Sequence, residues 1–485
     1  MKRLNFRKKP LTIALVAAFL IMQFVSCKKF LQVQPRDYMF EQEAFATEKG
    51  VESALNGIYQ SMANPVLYGS NLTVDITEQF AQYYYAPGRP NIARFKDFVY
   101  SLTKPYYAEI WKQAYRSLLG TNNFCDRLKD PSFHVLASDK RDILLGEAYA
   151  IRAFLHFDQL RLFGPVYTRF PQQKAIPYVR TASSVAQPIL PADQVIDQIM
   201  HDLDSALVLL AKDPVRVTGA NKITTSGVGQ AIDYMSNRHR RFNYYAVKTL
   251  AARVLLYAGK KAEAWQVATS IIQEQEAFFP WLTEPEFAND PLMSKESFFG
   301  IENKKMYEIY RDLFSPLLRD DIIYALKPAR LNGLYSPTST DLRLKYWFKV
   351  GIEGEKTYKV LIKHSNATIK DAGLSGYQPL IRKSELYLIA AETAPDLQQG
   401  FTYLNTQRIN RGLPAIVYHT GSTATELLTA IRDEYQREFV GEGQTFFMFK
   451  RLNLATITPV TGSGSVAMND LKYVVPLPED ESFYR

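Results

Sequence analysis

Residues 139–163 read as a helix of about seven turns. Asp139 stands at its start and Gly164-Pro165 at its end, the glycine tolerating a left-handed cap and the proline barring continuation. A step of about 100° per residue lays down two apolar stripes. One holds Leu144, Ala148, Ile151, Leu155 and Leu162; the other, nearly opposite, holds Tyr149, Ala150, Ala153, Phe157 and Leu160. Thin polar seams divide them, with Arg152, His156 and Gln159 on one side and Glu147, Asp158 and Arg161 on the other. A helix on the surface of a globule has one apolar face. A helix with two is sandwiched between neighbours, as in a stacked array.

The helical period recurs at 41–62, 106–128 and 193–210, and again at 381–393, 398–411 and 425–440. Residues 242–275 form the clearest hairpin. Gly259 turns the chain there, and Ala252, Ala264 and Ala268 let two helices approach closely, a tetratricopeptide-type pattern that lacks the usual Trp-Leu-Gly-Tyr opening. Two long stretches break the period. Residues 64–105 are rich in tyrosine and interrupted by Pro65, Pro87-Gly88 and Pro90; residues 278–378 mix breakers with short alternating runs at 297–301 and 344–348. Aperiodic stretches of this length inside a folded chain mark functional loops or short strands. The expected fold is therefore mostly α: a helical-hairpin array over 41–63, 106–276 and 381–452, carrying an irregular layer of loops and short strands over 64–105 and 278–378. At 485 residues the chain exceeds the roughly 250–300 at which one core stops growing, a limit that an array escapes because each unit packs on its neighbours.

Several blocks resemble one family. Residues 146–157 (GEAYAIRAFLHF), running on to Arg161-Leu162-Phe163-Gly164-Pro165-Val166, are similar to the signature helix of SusD/RagB lipoproteins. Glu296-Ser297-Phe298-Phe299 and Asp341-Leu342-Arg343 resemble that family's E-x-I-F and D-x-R motifs. Residues 404–414 (LNTQRINRGLP), 431–443 (IRDEYQREFVGEG) with Phe449-Lys450-Arg451-Leu452, and Pro476-Leu477-Pro478-Glu479 resemble its later blocks. The resemblance runs from Cys27 to about Glu479. It implies a single SusD-like domain over 27–485, a nutrient-binding lipoprotein of the outer membrane in Bacteroidetes, and a SusC-like TonB-dependent transporter as partner. The ligand it implies is an oligosaccharide, or in some relatives a peptide; no cofactor is expected, no metal-ligating residue is singled out, and no bond need be broken.

The amino terminus agrees. Lys2, Arg3, Arg7, Lys8 and Lys9 precede an apolar stretch of 14 residues, Leu11 to Phe24, short of the about 20 needed to span a bilayer and fitting a signal peptide over 1–26. Ser26-Cys27 places a small residue before a cysteine, as at a lipoprotein cleavage site, which makes Cys27 the expected lipidation site. Acylation contributes about 0.8 kcal/mol per buried methylene, so several chains hold a soluble domain on a membrane. Residues 28–35 (KKFLQVQP) resemble the start of mature SusD-like chains, with two lysines where acidic residues are common. Five of the nine net positive charges precede Cys27, leaving +4 for the rest, which weakens any nucleic-acid reading of the basic composition. The one other cysteine, Cys125, reads as a small buried hydrophobe.

No catalytic signature emerges. The six histidines are scattered without metal spacing, no phosphate-binding loop occurs, and Gly373-Leu374-Ser375-Gly376 lacks the spacing of a nucleophile elbow. The charged block around Glu434, Arg437, Glu438, Glu442 and Arg451 reads better as a network that locks the last helix than as an active site. Binding needs different chemistry: aromatic planes for the flat C–H faces of sugars, and a few directed polar groups. Trp111 and Trp265 lie on helices and read as core, whereas Trp281 and Trp347 lie in the irregular region. Tyr83, Tyr84 and Tyr85 are consecutive, so no periodic face buries all three. With the resemblance, Tyr83, Tyr84, Tyr85 and Trp281 become the candidate ligand contacts, with Arg89 and Arg94 as a polar rim. The rival readings are a tetratricopeptide-type scaffold for protein partners and a surface hydrolase.

Overall fold

A computed structural model describes residues 44–183, 185–220, 233–351, 356–365 and 374–483. The signal peptide and Cys27 lie outside the described residues. The chain divides into a short unit, Met1–Val51, and a large one, Glu52–Arg485; all that follows concerns the second, apart from the first turn of α1.

Ten helices carry the array: α1 (Glu48–Met62), α2 (Lys104–Lys129), α3 (Ser138–Phe163), α4 (Ala192–Leu209), α5 (Tyr244–Tyr257), α6 (Lys261–Gln275), α7 (Lys383–Thr393), α8 (Leu397–Asn410), α9 (Ala424–Glu438) and α10 (Thr445–Arg451). α3 packs on α2 and α4, α5 pairs with α6, and α7 packs on α6, α8 and α9. Ala148 and Ala153 are fully buried, as the two-stripe pattern requires. The polar seams are buried as well, and their charged members find partners. Arg152 clasps Asp202 through Nε and Nη2 at 2.6 and 2.7 Å. Glu147 accepts from Tyr59 Oη at 2.8 Å and pairs with Arg238 at 2.5 Å, whose guanidinium also pairs with Asp213 at 2.9 Å.

Both ends of α3 differ from the sequence reading. The helix starts at Ser138, with Ala137 in the cap position and no side-chain cap. Gly164 is extended, not left-handed, at φ −74°. It must be glycine for a steric reason: a Cβ there would meet Leu160 O at 2.6 Å. The last carbonyls of α3 are instead satisfied by the buried Lys450, whose Nζ donates to Arg161 O and Gly164 O at 2.7 Å each. The hairpin of α5 and α6 turns at Gly259 (φ +77°), and Ala252, Ala264 and Ala268 are fully buried at its crossing.

The irregular segments hold more helix than expected. Residues 64–105 contain the short helices Ile76–Phe80 and Pro90–Lys96. The alternating run at 344–348 is not a strand: Leu342–Trp347 is helical, started by Asp341, whose carboxylate accepts from Arg343 N at 2.9 Å. Strands are short and pair antiparallel: β1 (Lys174–Pro177) with β2 (Ile189–Pro191), β3 (Ser297–Glu302) with β6 (Tyr377–Arg382), β4 (Phe348–Val350) with β5 (Lys359–Leu361), and β7 (Thr456–Ile457) with β8 (Val466–Ala467).

A buried charge network joins α7, α8 and α9 to the second irregular segment. Glu438, at the end of α9, pairs with Arg382 at 2.6 Å, Arg411 at 2.8 Å and Arg343 at 2.7 Å. Arg411 also holds Glu296 at 2.6 Å, Arg343 holds Asp341 and Glu434 at 2.7 Å each, and Arg382 holds Glu442 at 2.8 Å. The second oxygen of Glu442 takes Lys363. Burial pushes the Glu438 carboxyl up, but the guanidiniums of Arg411, Arg382 and Arg343 outweigh it and hold the group well below the usual carboxylate range. The network reading of this block holds, with one change: Arg451 belongs to a separate pair with Glu392.

Removing one partner of such a network leaves buried charge uncompensated, at a cost of about 3–5 kcal/mol. Glu438→Gln is expected to lower the denaturant midpoint accordingly. A carboxyl whose folded pKa is depressed contributes stability that is present above its unfolded pKa and lost as pH falls through the folded one. The wild type should therefore lose stability progressively below about pH 4.5, and Glu438→Gln should show a shallower acid slope in urea titrations at stepped pH.

Candidate functional site

The two irregular segments meet at Tyr85. Its N–H donates to Ala325 O at 3.1 Å, an antiparallel bridge. On either side the segments are tied by further bonds: Tyr324 Oη donates to Asp75 at 2.7 Å, Gly88 N to Asp321 O at 2.6 Å, and Arg89 Nε to Ile322 O at 2.6 Å. Arg89 also reaches Asp312 O, at the end of the helix Met306–Leu313. Gly88 is required for this approach, because a Cβ would collide with the Asp321 carboxylate.

The first segment is in turn clamped to the array. Glu78, in Ile76–Phe80, accepts from Gly441 N at 2.8 Å and Gly443 N at 3.0 Å. Burial pushes its carboxyl up to about 8 against these two amides. The Gly441–Gly443 turn contains Glu442, so the charge network and the clamp share one turn.

This framework separates the three tyrosines. Tyr83 is fully buried, its hydroxyl donating to Gln436 O at 2.6 Å and lying 2.9 Å from Thr445 Oγ1. Tyr84 is fully buried between Tyr324 (5.3 Å, stacked) and Phe314 (5.4 Å, edge-on). Both are corrections to the candidate set: their rings pack the join between layer and array and leave no face for a ligand. Tyr85 is the half-buried one, and Lys327 Nζ stands 3.7 Å from its ring centre.

Trp281 is also half-buried, but in another neighbourhood, against Tyr387 at 5.0 Å with Lys383 Nζ and the Arg411 guanidinium at 4.7 and 5.1 Å from its ring. Trp347, the other tryptophan of the irregular region, is fully buried and donates to Pro291 O at 2.9 Å. Trp265, read as core, is half-buried with Tyr403 edge-on at 5.4 Å, while Trp111 is buried. Arg89 is spent on the two backbone carbonyls, and Arg94 donates to Asn91 Oδ1 at 3.2 Å.

Sequence reasoning missed Tyr307 and Tyr310. They lie on the helix Met306–Leu313, which buries Met306 alone and is held to the Tyr85 segment by Arg89. Tyr307 is 57 % exposed, and Leu317, just beyond the helix, is 70 % exposed. Two tyrosines at i and i+3 on a short helix with one buried residue were the available signal. The surface thus combines partly exposed aromatic rings with cationic side chains and backbone-anchored turns. Among the described residues no group of three or more His, Cys, Asp or Glu side chains is placed to hold a metal. His156 Nδ1 lies 2.9 Å from Arg152 O, and Nε2 accepts from Val179 N at 3.0 Å. Burial pushes its pKa down to about 3, so the ring is a neutral structural link. Cys125 is fully buried and its thiol is pushed up to about 12, which makes it inert.

The fold class is an array of helical hairpins bearing a tyrosine-rich irregular layer, and comparison with known proteins gives the family. One SusD-type family model, described as "Starch-binding associating with outer membrane", matches residues 29–227, and the SusD family model matches 349–469. The chain belongs to the SusD/RagB family, whose members are binding proteins and not enzymes. A SusD superfamily protein from Bacteroides thetaiotaomicron has a similar structure, with a TM-score of 0.72 and 21% identity over 90% of this chain and 98% of that one. A SusD-like carbohydrate binding protein from Bacteroides vulgatus has a TM-score of 0.69 and 16% identity over 90% and 96%. At such identities the likeness carries the fold. SusD-like protein P25 from Formosa agariphila is 21% identical over 215 residues, 41% of this chain; the match spans 37% of that relative's length.

The division of the tyrosines is open to measurement. Tyr84→Ala empties a closed aromatic cluster and should cost about 3–5 kcal/mol in urea unfolding. Tyr85→Ala should cost less than about 1.5 kcal/mol, since part of the ring already faces solvent.

Proposed function

We propose that this chain is a lipid-anchored binding protein of the outer membrane that captures an oligosaccharide at the Tyr85 surface and passes it to a SusC-like TonB-dependent transporter. The observation that carries the reading is Tyr85 itself. It is the one member of the tyrosine run with free surface, it sits where the two irregular segments join, and a bonded turn fixes it to the array. Tyr307 and Tyr310 extend the aromatic surface along an adjoining helix. The family description and the carbohydrate-binding relative support a glycan as ligand. The basic and apolar stretches before Ser26-Cys27 support the anchor, a lipid on Cys27 after removal of a signal peptide over 1–26.

The physical role is capture without bond breaking. Aromatic planes take the C–H faces of sugar rings, and polar groups around them take hydroxyls. A peptide is the alternative ligand, so a mixed panel decides between the two chemistries. Trp281 remains a second candidate contact in its own neighbourhood.

Isothermal calorimetry against oligosaccharides and peptides should yield binding to an oligosaccharide that Tyr85→Ala weakens at least about tenfold, a loss of about 1.4 kcal/mol. Unaltered affinity in Tyr85→Ala and Tyr307→Ala would remove this surface from the account. Cys27→Ser is expected to release the chain from the membrane fraction and abolish the lipid mass on the mature amino terminus.

A further inference from the structure

We infer that the ligand taken at the Tyr85 surface carries acid groups: a uronate- or sulfate-bearing oligosaccharide, not a neutral one. This rests on the binding function proposed above. The observation is a set of cations on tyrosine faces. Lys327 Nζ lies 3.7 Å from the Tyr85 ring centre, the Arg89 guanidinium 5.3 Å from that of Tyr324, and the Arg330 guanidinium 5.4 Å from that of Tyr83. The place of Lys327 follows from the backbone. Tyr85 and Ala325 are antiparallel partners, so the residue two beyond Ala325 stands on the same face as Tyr85, diagonally across from it.

Among the described residues none of these three cations forms an ion pair. Arg89 donates to the carbonyls of Ile322 and Asp312, and Arg330 to Gln82 O and the Gln436 side-chain oxygen. The contrast with the array is sharp, because Arg152, Arg238, Arg253, Arg343, Arg382 and Arg411 all hold carboxylates. The acids nearest the surface are already engaged. Asp75 and Asp312 lie within the field of Arg89, yet Asp75 accepts from Tyr324 and Asp312 is held by Arg311. Asp321 is held by Arg319, Asp320 by Lys356 and Glu308 by Lys305. Asp433 acts on Arg330 from beyond ion-pair distance.

Arg330 is buried with Tyr83, and the nearby acids each have another partner. Lys327, half-buried and without an ion-pair partner among the described residues, is therefore the cation a ligand can reach. A neutral sugar would desolvate that ammonium and return no counter-charge. An acidic sugar can lay its ring against Tyr85 while its carboxylate or sulfate takes Lys327 in a charge-assisted hydrogen bond, about twice as strong as a neutral one.

The test is a panel of matched neutral, uronate-bearing and sulfated oligosaccharides, titrated by calorimetry into the mature chain. Wild-type protein should favour an acidic member over its neutral counterpart, with the two acidic series deciding between carboxylate and sulfate. That preference should fall about fivefold to tenfold in Lys327→Gln, be retained in Lys327→Arg, and shrink as salt rises from about 0.05 to about 0.5 M. Equal or better binding of neutral chains, or an acidic preference that survives Lys327→Gln, would overturn the inference. Tyr85→Ala separates this from the binding function: it should weaken acidic and neutral chains alike, and a loss confined to Lys327→Gln would mean charge recognition without the aromatic platform.

Discussion

The structure depends on one carboxylate, that of Glu438, meeting three guanidiniums in the dry interior. Each of those guanidiniums comes from a different part of the chain: Arg382 at the end of β6, Arg411 at the end of α8, Arg343 in the helix Leu342–Trp347. Burying any one of these ions alone would cost several kcal/mol. Together, with Glu296, Asp341, Glu434, Glu442 and Lys363 completing the pairs, they satisfy one another and fix the register of elements that hydrophobic packing alone would leave free to slide. Specificity is the physical gain, because an apolar core of the same volume accepts many arrangements while a closed set of bidentate pairs accepts few.

The same network explains how a binding surface built from loops is held still. Glu442, one of its members, sits in the turn whose Gly441 and Gly443 amides clamp Glu78. Glu78 lies a few residues before the tyrosine run, so the position of Tyr85 is set from the array outward: network, turn, clamp, tyrosines. Tyr83 and Tyr84 act as the packing of that connection, with the hydroxyl of Tyr83 reaching Gln436 on α9. The surface around Tyr85 is thus preformed, with little of its own ordering left to oppose the binding proposed there.

The array was legible because its signal is periodic. Ala148 and Ala153 on opposite edges of one helix, or Ala252 against Ala264 and Ala268, state their burial in their spacing. The charged block was legible in part: Glu434, Glu438 and Glu442 stood out as structural carboxylates, whereas the guanidiniums of Arg343, Arg382 and Arg411 that meet Glu438 come from distant stretches and were not read with it. The irregular layer was harder. The run at 344–348 alternates like a strand, but the local cap from Asp341 and the pull of its side chain on Arg343 start a helix, a choice made by one carboxylate that a hydropathy pattern does not register. The site was half legible. Consecutive tyrosines announced that one must face outward, yet which one depended on the Tyr85–Ala325 bridge, a pairing across 240 residues of sequence. Tyr307 and Lys327 gain their meaning from the same bridge and from Arg89, and nothing near them in sequence marks them.

The most direct measurement is native-state hydrogen exchange on a Glu442→Gln chain compared with wild type. The account predicts that protection falls first at residues 76–86 and 319–326, which the Glu442 turn holds in place, while the centre of α3 keeps its wild-type protection. Equal loss across α3 and the irregular layer, or no change at 76–86, would contradict a network that positions the binding surface through that turn.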